Sequence, residues 1–443
     1  MNKFFIQTWG CQMNEYDSSR LIDLMINTGY EQTEDITEAD VVILVTCAIR
    51  EKAQDKVFNQ LFSWQHKKQY KEGAVICVGG CVASQEGEAV LKRAPMVSVV
   101  FGPQTIHRVP NMVEKVVSTG ERLVDVSFPE VEKFDFLPSP KSRGHATAFV
   151  TIMEGCSNFC SYCVVPYTRG AEFSRNLREI LDEIRTLTAQ GVKEINLIGQ
   201  NVNSYNGKDE DGNTVTFAEL LYHVAGIEGV ERIRFTTSNP HDFTDEIIQA
   251  FADLPQIANA IHLPVQNGSD RILKAMNRKY DRNRYIDVVT RLRQVRPDIY
   301  ISTDFIVGFP GETDEDFEQT MDLIETVKFD QSFSFIYSPR PNTPAAKMED
   351  KTPLMTKKER LYRLQAAINN QAQQYSREML GSVQKVLVDG LSVRDAEELS
   401  GRTDNNRTVN FKGSPELIGS FVYVKITDVL THTLRGELIE EQQ

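Results

Sequence analysis

The sequence predicts an α/β protein in three parts. These are a parallel α/β sheet domain at 1–125, a partial (βα)6 barrel at 147–376 reached through a linker at 126–146, and a small β-barrel at 377–441. Three observations predict this. Apolar, β-branched runs alternate with helical periodicity through the first two parts. A stretch rich in Pro and charge (Pro129, Pro138, Pro140, Lys141, Arg143) separates them. The last part changes to short β runs set off by Gly turns.

In the first part Lys3–Thr8 is a short β-prone run, and Tyr16–Thr28 has helical spacing. Val41–Val45 is a continuous apolar run, followed by a helical pattern at Glu51–Tyr70. Ala74–Val78 is another such run and ends in Gly79-Gly80. Strands apolar on both faces belong in a covered parallel sheet. Cys11, Cys47 and Cys81 each follow one of these strands. Loops beyond the carboxyl ends of parallel strands converge on one crevice, so three thiols from three loops share an edge. They are either ligands of a metal cluster with one open iron or ordinary buried cysteines. Cys77 lies inside its strand and reads as a small buried hydrophobe.

The second part offers six strands: Ala148–Met153, Glu194–Ile198, Arg232–Thr236, Asn259–Leu263, Tyr300–Val307 and Ser332–Tyr337. Helical patterns such as Leu177–Gln190, Asp281–Gln294 and Asp314–Val327 intervene. Right-handed βα units in series curl into a barrel, with chemistry at the strands' carboxyl ends. Cys156, Cys160 and Cys163 form a C-x3-C-x2-C run on the loop after the first strand. Three soft ligands this close suit a [4Fe–4S] cube whose fourth iron stays open to a small ligand. A zinc knuckle needs a fourth Cys or His nearby. His223 is far downstream, and His145 lies on the other side of the predicted strand. Gly199-Gln200-Asn201 follows the second strand, where any tight βα turn would also serve. Asp304–Thr313 carries Gly308 and Gly311 around Pro310, which lets backbone approach a ligand, and also starts a helix. His262–Ser269 and Met276–Tyr280 are further candidates; His262 alone would read as a core histidine.

Thr356–Met379 reads as a helix bearing Lys357, Lys358, Arg360, Arg363 and Arg377. The β runs Ser382–Asp389, Thr408–Phe411, Phe421–Val429 and Thr433–Leu438 follow. Arg402 and Arg407 stand on a polar turn with Lys412 close by, a pattern that suits phosphate and base edges but also an ordinary hairpin.

Composition sets the bounds. The 443 residues carry a net charge of −13, which opposes wholesale electrostatic capture of nucleic acid and leaves room only for a local basic patch. No apolar run reaches the length of a membrane span, and Met1–Thr8 turns polar too soon for a signal peptide. Seven cysteines are sparse and odd in number, which fits thiolate ligands in a reducing cytoplasm rather than a disulfide framework.

The Cys156–Cys163 run resembles the signature of radical S-adenosylmethionine (SAM) enzymes, with Tyr162 as the aromatic before the last Cys. Gly10–Asn14, Thr46–Ala53 and Gly79–Ala83 resemble the N-terminal domain of the methylthiotransferases, and Gly401–Phe411 resembles the RNA-binding TRAM module. Val45, Asn176, Asn267 and Asn342 depart from that family's pattern. The resemblance implies two [4Fe–4S] clusters, one on Cys156, Cys160 and Cys163 and an auxiliary one on Cys11, Cys47 and Cys81. It implies that SAM lies against Tyr162, Gly199, Gln200, Asn201, Asp304 and Gly308, supplying both a 5′-deoxyadenosyl radical and a methyl group. It implies tRNA contacts at Arg402, Arg407 and Lys412, and electrons from a reductant such as flavodoxin or ferredoxin. Thr46–Ala53 and Tyr337–Ala346 resemble the branch that methylthiolates N6-isopentenyladenosine at position 37 of the tRNA anticodon loop. The alternatives are a ribosomal-protein aspartate, N6-threonylcarbamoyladenosine in tRNA, or an RNA-binding iron–sulfur protein without chemistry.

Overall fold

The computed structural model describes residues 2–48, 53–128 and 133–439. Ile49–Lys52 of the motif after Cys47, Pro129 and the last residues of the C-terminal part lie outside them.

Residues 3–125 form a six-stranded, all-parallel sheet. Its order is Glu31–Gln32, Lys3–Thr8, Val41–Thr46, Val75–Gly80, Val97–Phe101, Leu123–Asp125. Every residue of Val41–Thr46 and Val75–Gly80 is buried, as continuous apolar runs require. Helices cover both faces. Phe58, Leu61 and Trp64 pack on one side, and Leu21, Leu24 and Met25 on the other.

The central part has six parallel strands in chain order, in two hydrogen-bonded groups. Thr147–Thr151, Glu194–Ile198 and Arg232–Thr236 form the first; Ala260–His262, Tyr300–Val307 and Gln331–Ile336 form the second. Backbone bonds between Ile233 and the segment 256–258 bridge them. Alternate residues such as Val150, Leu197, Ile233 and Phe305 face the helices in one large core. The inner face carries Asn196, Arg234, His262, Ser302 and Asp304 instead. At the first edge, Met13 and Tyr16 of the sheet domain's helix Gln12–Asn27 pack on Phe149 and Ile198. At the last edge, the helix Leu354–Glu378 lies along the outer strand, with Leu364 and Ile368 in the core.

The segment expected as a linker also carries a buried contact between the two parts it joins. Lys133 within it is fully buried, 2.7 Å from Asp17 of the sheet domain and 2.6 Å from Glu154 of the barrel. Composition marked the Pro residues there but not this cation.

Five strands close a C-terminal barrel in the order Val383–Leu391, Glu398–Thr403, Thr408–Lys412, Leu434–Leu438, Phe421–Val429. Glu398–Thr403 is a strand where the sequence suggested only a turn, because its polar residues hide a two-sided barrel position. The module docks on the amino-terminal ends of the central strands. Arg232 donates to the carbonyls of Arg402 and Lys385, Arg234 donates to those of Thr403 and Asp404, and Glu194 holds both guanidinium groups.

Candidate functional site

The loop carrying Cys156, Cys160 and Cys163 leaves the carboxyl end of the first barrel strand. Gly155 precedes it at φ +73°, where a Cβ would stand 2.0 Å from the Ala171 carbonyl oxygen. Only glycine fits there. The loop is strapped down at several points. The Ser161 N–H donates to Met276 O at 3.0 Å, Ser161 Oγ to Ala275 O at 2.8 Å, and Asn277 Nδ2 to Phe159 O at 2.9 Å. The three thiols are near enough to feel one another electrostatically. Burial pushes the Cys163 thiol up to about 12 and raises Cys156, a cost that metal coordination reverses by taking the proton. Arg278 Nη1 reaches Cys160 Sγ at 3.3 Å; hydrogen bonds to ligand sulfurs tune a cluster's potential. Tyr162 packs half-buried against Met276, Phe309 and Tyr337. Among the described residues, no three Cys, His, Asp or Glu side chains close around a single ion.

Beside this loop, Gln200 and Asn201 follow the strand Glu194–Ile198, and Ser238 follows Arg232–Thr236. Gln200 Oε1, Asn201 Oδ1 and Ser238 Oγ are buried without partners. Buried polar atoms are rarely left so, and three at one mouth suit a polar cofactor that completes them. Asn201 Nδ2 is fixed on Asp242 Oδ2 at 2.7 Å. The sequence indicated Gln200 and Asn201 but not Ser238 or Asp242, which sit in no motif.

Two of the expected cofactor residues have close protein neighbours of their own. Asp304 is on the barrel's inner face, 3.4 Å from His262 Nε2, below the mouth rather than at it. Gly308 has φ +66°, but the space beside its Cα is filled by Lys357, and its N–H donates to Glu312 Oε2 at 2.7 Å. Its freedom serves packing.

Cys11, Cys47 and Cys81 come together past the carboxyl ends of three adjacent sheet strands, as parallel topology dictates. Gly10 lies at φ +136°, and a Cβ there would stand 2.4 Å from Cys47 Cβ. A hydrogen bond with Cys47 draws the Cys11 thiol down to about 6, burial opposes this, and the Arg169 guanidinium assists. Burial raises Cys81, with Arg169 opposing. Arg169 follows the other thiol loop and bonds Asp17 at 2.9 Å and Glu154 at 3.1 Å. Together with Lys133 it forms a buried two-plus, two-minus set between the two triads. No motif announced it. Cys77 is fully buried in the strand, away from this edge.

At the C-terminal module Arg402 is about half exposed and 4.0 Å from Asp389, and Lys412 is exposed. Arg407 is otherwise engaged. It pairs with Asp330 at 3.1 Å, bonds Ser376 Oγ and covers the Tyr300 ring. These contacts tie the module to the barrel and its following helix. Lys357 and Arg360 of the helix Leu354–Glu378 are also buried, on Asp350 and on Glu312 with Asp314.

The partial barrel and its thiol loop define a radical SAM protein. The chain matches the Radical SAM superfamily over residues 150–324, the Uncharacterized protein family UPF0004 over 3–102 and the TRAM domain over 377–439. Among solved structures, the radical S-adenosylmethionine methyltransferase TsrM from Kitasatospora setae aligns at a TM-score of 0.57 and 14% identity, over 78% of this chain and 75% of that one. The cobalamin-dependent S-adenosylmethionine radical enzyme OxsB aligns at 0.53 and 13%, over 85% and 60%. These likenesses show the fold. The tRNA-2-methylthio-N(6)-dimethylallyladenosine synthase of Actinobacillus succinogenes is 58% identical over 99% of this chain and 93% of its own. That of Pasteurella multocida is 58% identical over 100% and 93%. The chain belongs to the tRNA-2-methylthio-N(6)-dimethylallyladenosine synthase family. Membership of the radical SAM superfamily brings a [4Fe–4S] cluster and SAM with it. Among the described residues no helix is long and apolar enough to cross a membrane.

Proposed function

We propose that this enzyme places a methylthio group at C2 of N6-isopentenyladenosine at position 37 of tRNA. Full-length identity of 58% to synthases of that name carries the reading. Neither a ribosomal-protein aspartate nor N6-threonylcarbamoyladenosine is favoured by those relatives. The C2–H bond of adenine is not acidic, so acid–base groups alone do not open it. When bound, a reduced cluster with SAM supplies the radical, a second SAM the methyl group and an auxiliary cluster the sulfur.

The chain's own residues do the rest. Cys156, Cys160 and Cys163 hold the first cluster, and Arg278 steadies Cys160. Gln200, Asn201 and Ser238 hold the polar end of SAM, and Tyr162 lies beside it. Cys11, Cys47 and Cys81 hold the second cluster, with Arg169 next to it. The sheet domain of residues 1–125, the connecting segment 126–146, the barrel of 147–376 and the module of 377–441 then act as sulfur carrier, brace, radical centre and RNA grip. A small electron carrier such as flavodoxin or ferredoxin supplies reducing equivalents. Arg402 and Lys412 contact the tRNA backbone.

Mass analysis of nucleosides in tRNA from a strain lacking the protein tests this. The 2-methylthio nucleoside disappears and its N6-isopentenyl precursor accumulates. Wild type restores it and Cys47→Ala does not. Unchanged nucleosides in the deletion strain refute the reading.

A further inference from the structure

The inner face of the last barrel strands carries large apolar side chains where a closed barrel would be filled. Phe333 and Phe335 are 45% and 42% exposed, although both sit within a hydrogen-bonded strand. Ser334 between them is buried on the helix-facing side. Register fixes their neighbours. Phe333 is level with Asp304, and Phe335 with Ile306. Side chains paired in this way share a face. Ile306 and Tyr162 of the thiol loop pack against the same apolar cluster, which includes Phe309 and Tyr337, so Phe335 lies at the mouth and Phe333 one step below. His262 meets the Phe333 ring edge-on, with ring centres 5.9 Å apart. Its two ring nitrogens face Ser302 Oγ at 3.0 Å and Asp304 at 3.4 Å. The result is a wall of two aromatic faces beside a fixed imidazole and one carboxylate, open to the interior and continuous with the SAM subsite.

This wall has the chemistry of a modified purine. A splayed base stacks on an aromatic side chain, and a branched hydrocarbon on N6 gains from apolar contact. An N6 group that carries its own carboxylate would meet Asp304 and two rings that cannot pair with it. Resting on the reaction proposed above, we propose that Phe333, Phe335 and Asp304 form the substrate-selecting wall: the phenyl rings accept the N6-dimethylallyl group, and Asp304 excludes carboxylate-bearing N6 substituents.

The test uses the cluster-loaded full chain and three anticodon stem–loop RNAs differing at one adenosine: unmodified, N6-dimethylallyl or N6-threonylcarbamoyl. RNA affinity is read by fluorescence anisotropy without turnover, and product by mass analysis. Wild type prefers the dimethylallyl RNA over the unmodified one. Phe333→Ala with Phe335→Ala lowers that preference at least tenfold, as loss of several apolar contacts implies, and acts on KM more than on kcat. Asp304→Asn strengthens binding of the threonylcarbamoyl RNA severalfold. Iron content and thermal midpoint control for folding. If the double variant does not fold, Phe333→Ser, a single change at an exposed ring, lowers the preference by a smaller factor. A variant that folds and keeps the wild-type preference overturns the proposal. So does a wild type that binds the dimethylallyl and unmodified RNAs equally. A wild type with the binding preference but no methylthio product supports the wall and refutes the reaction.

Discussion

Cys77 lies inside the strand Val75–Gly80 and Cys81 just past it, and that placement separates a packing residue from a candidate ligand. Cys77 is fully buried among Val41, Val75 and Val99, and burial pushes its thiol well above the usual range. Cys77→Ser puts a hydroxyl into that site and costs about 1–3 kcal/mol of stability. Iron content and methylthiolated product stay at wild-type levels; loss of iron in a folded Cys77→Ser protein would contradict the assignment. The grouping of six thiols into two sets was legible, because a thiol directly after an apolar run, or three in a short loop, follows from topology. Arg169 and Ser238 were not. Arg169 acts through partners far away in the chain, Ser238 stands alone after its strand, and no local pattern encodes either; Arg278 fell inside the candidate segment Met276–Tyr280, but its reach to Cys160 is set only by the fold. The pairing of Arg407 with Asp330 is hidden for the same reason, since the carboxylate lies 77 residues away in the chain.

At the scale of elements, apolar runs and helical spacing placed Glu194–Ile198, Arg232–Thr236, Tyr300–Val307, Asp314–Val327 and Phe421–Val429 with the ends they have in the structure. The short strands Val97–Phe101 and Leu123–Asp125 are not marked by the sequence, since a brief run beside helices carries little periodicity. The start of Asp314–Val327 shows how an end is set. Thr313 caps the helix and Asp316 closes the box, while Ser269 and Arg271 bring in the neighbouring segment. Burial alone would raise the Asp316 carboxyl, but hydrogen bonds from Arg271, Ser269 and Thr313 hold it below its usual value. A carboxyl depressed in the folded state adds stability above its unfolded pKa and loses that contribution as pH falls through the folded one. Asp316→Asn therefore costs about 1–2 kcal/mol near pH 7, where Arg271's exposure limits the effect. The difference from wild type narrows below about pH 4. Denaturation midpoints measured against pH check this; a constant difference across that range would contradict it.

For the molecule as a whole, the three-part order was readable from changes in periodicity, but the joints were not. Lys133 is the clearest case, since Pro and charge around it mark a linker and say nothing of a buried cation. Lys133→Met leaves Asp17 and Glu154 with Arg169 as their remaining cation and costs about 3–5 kcal/mol. It also loosens the sheet domain against the barrel, which faster proteolysis between residues 126 and 146 reports; an unchanged cleavage rate would show that Lys133 is not the brace. The C-terminal module divides its cations in a similar way. Arg402→Ala weakens tRNA binding across sequences and lowers the salt slope by about one unit or less. Arg407→Ala leaves that slope unchanged and lowers the unfolding midpoint; affinity titrated against salt for both variants decides between them. The module touches the strand starts, whereas the Cys156–Cys163 loop lies past the strand ends. Tyr300–Val307 runs between with eight residues, about 26 Å of extended chain. A hydrogen-bonded strand does not stretch, so an RNA hairpin that touches both ends is held in a caliper with a fixed gap. Which nucleotide meets the radical is then a matter of length: a longer stem shifts the reacting base, and a more flexible loop does not.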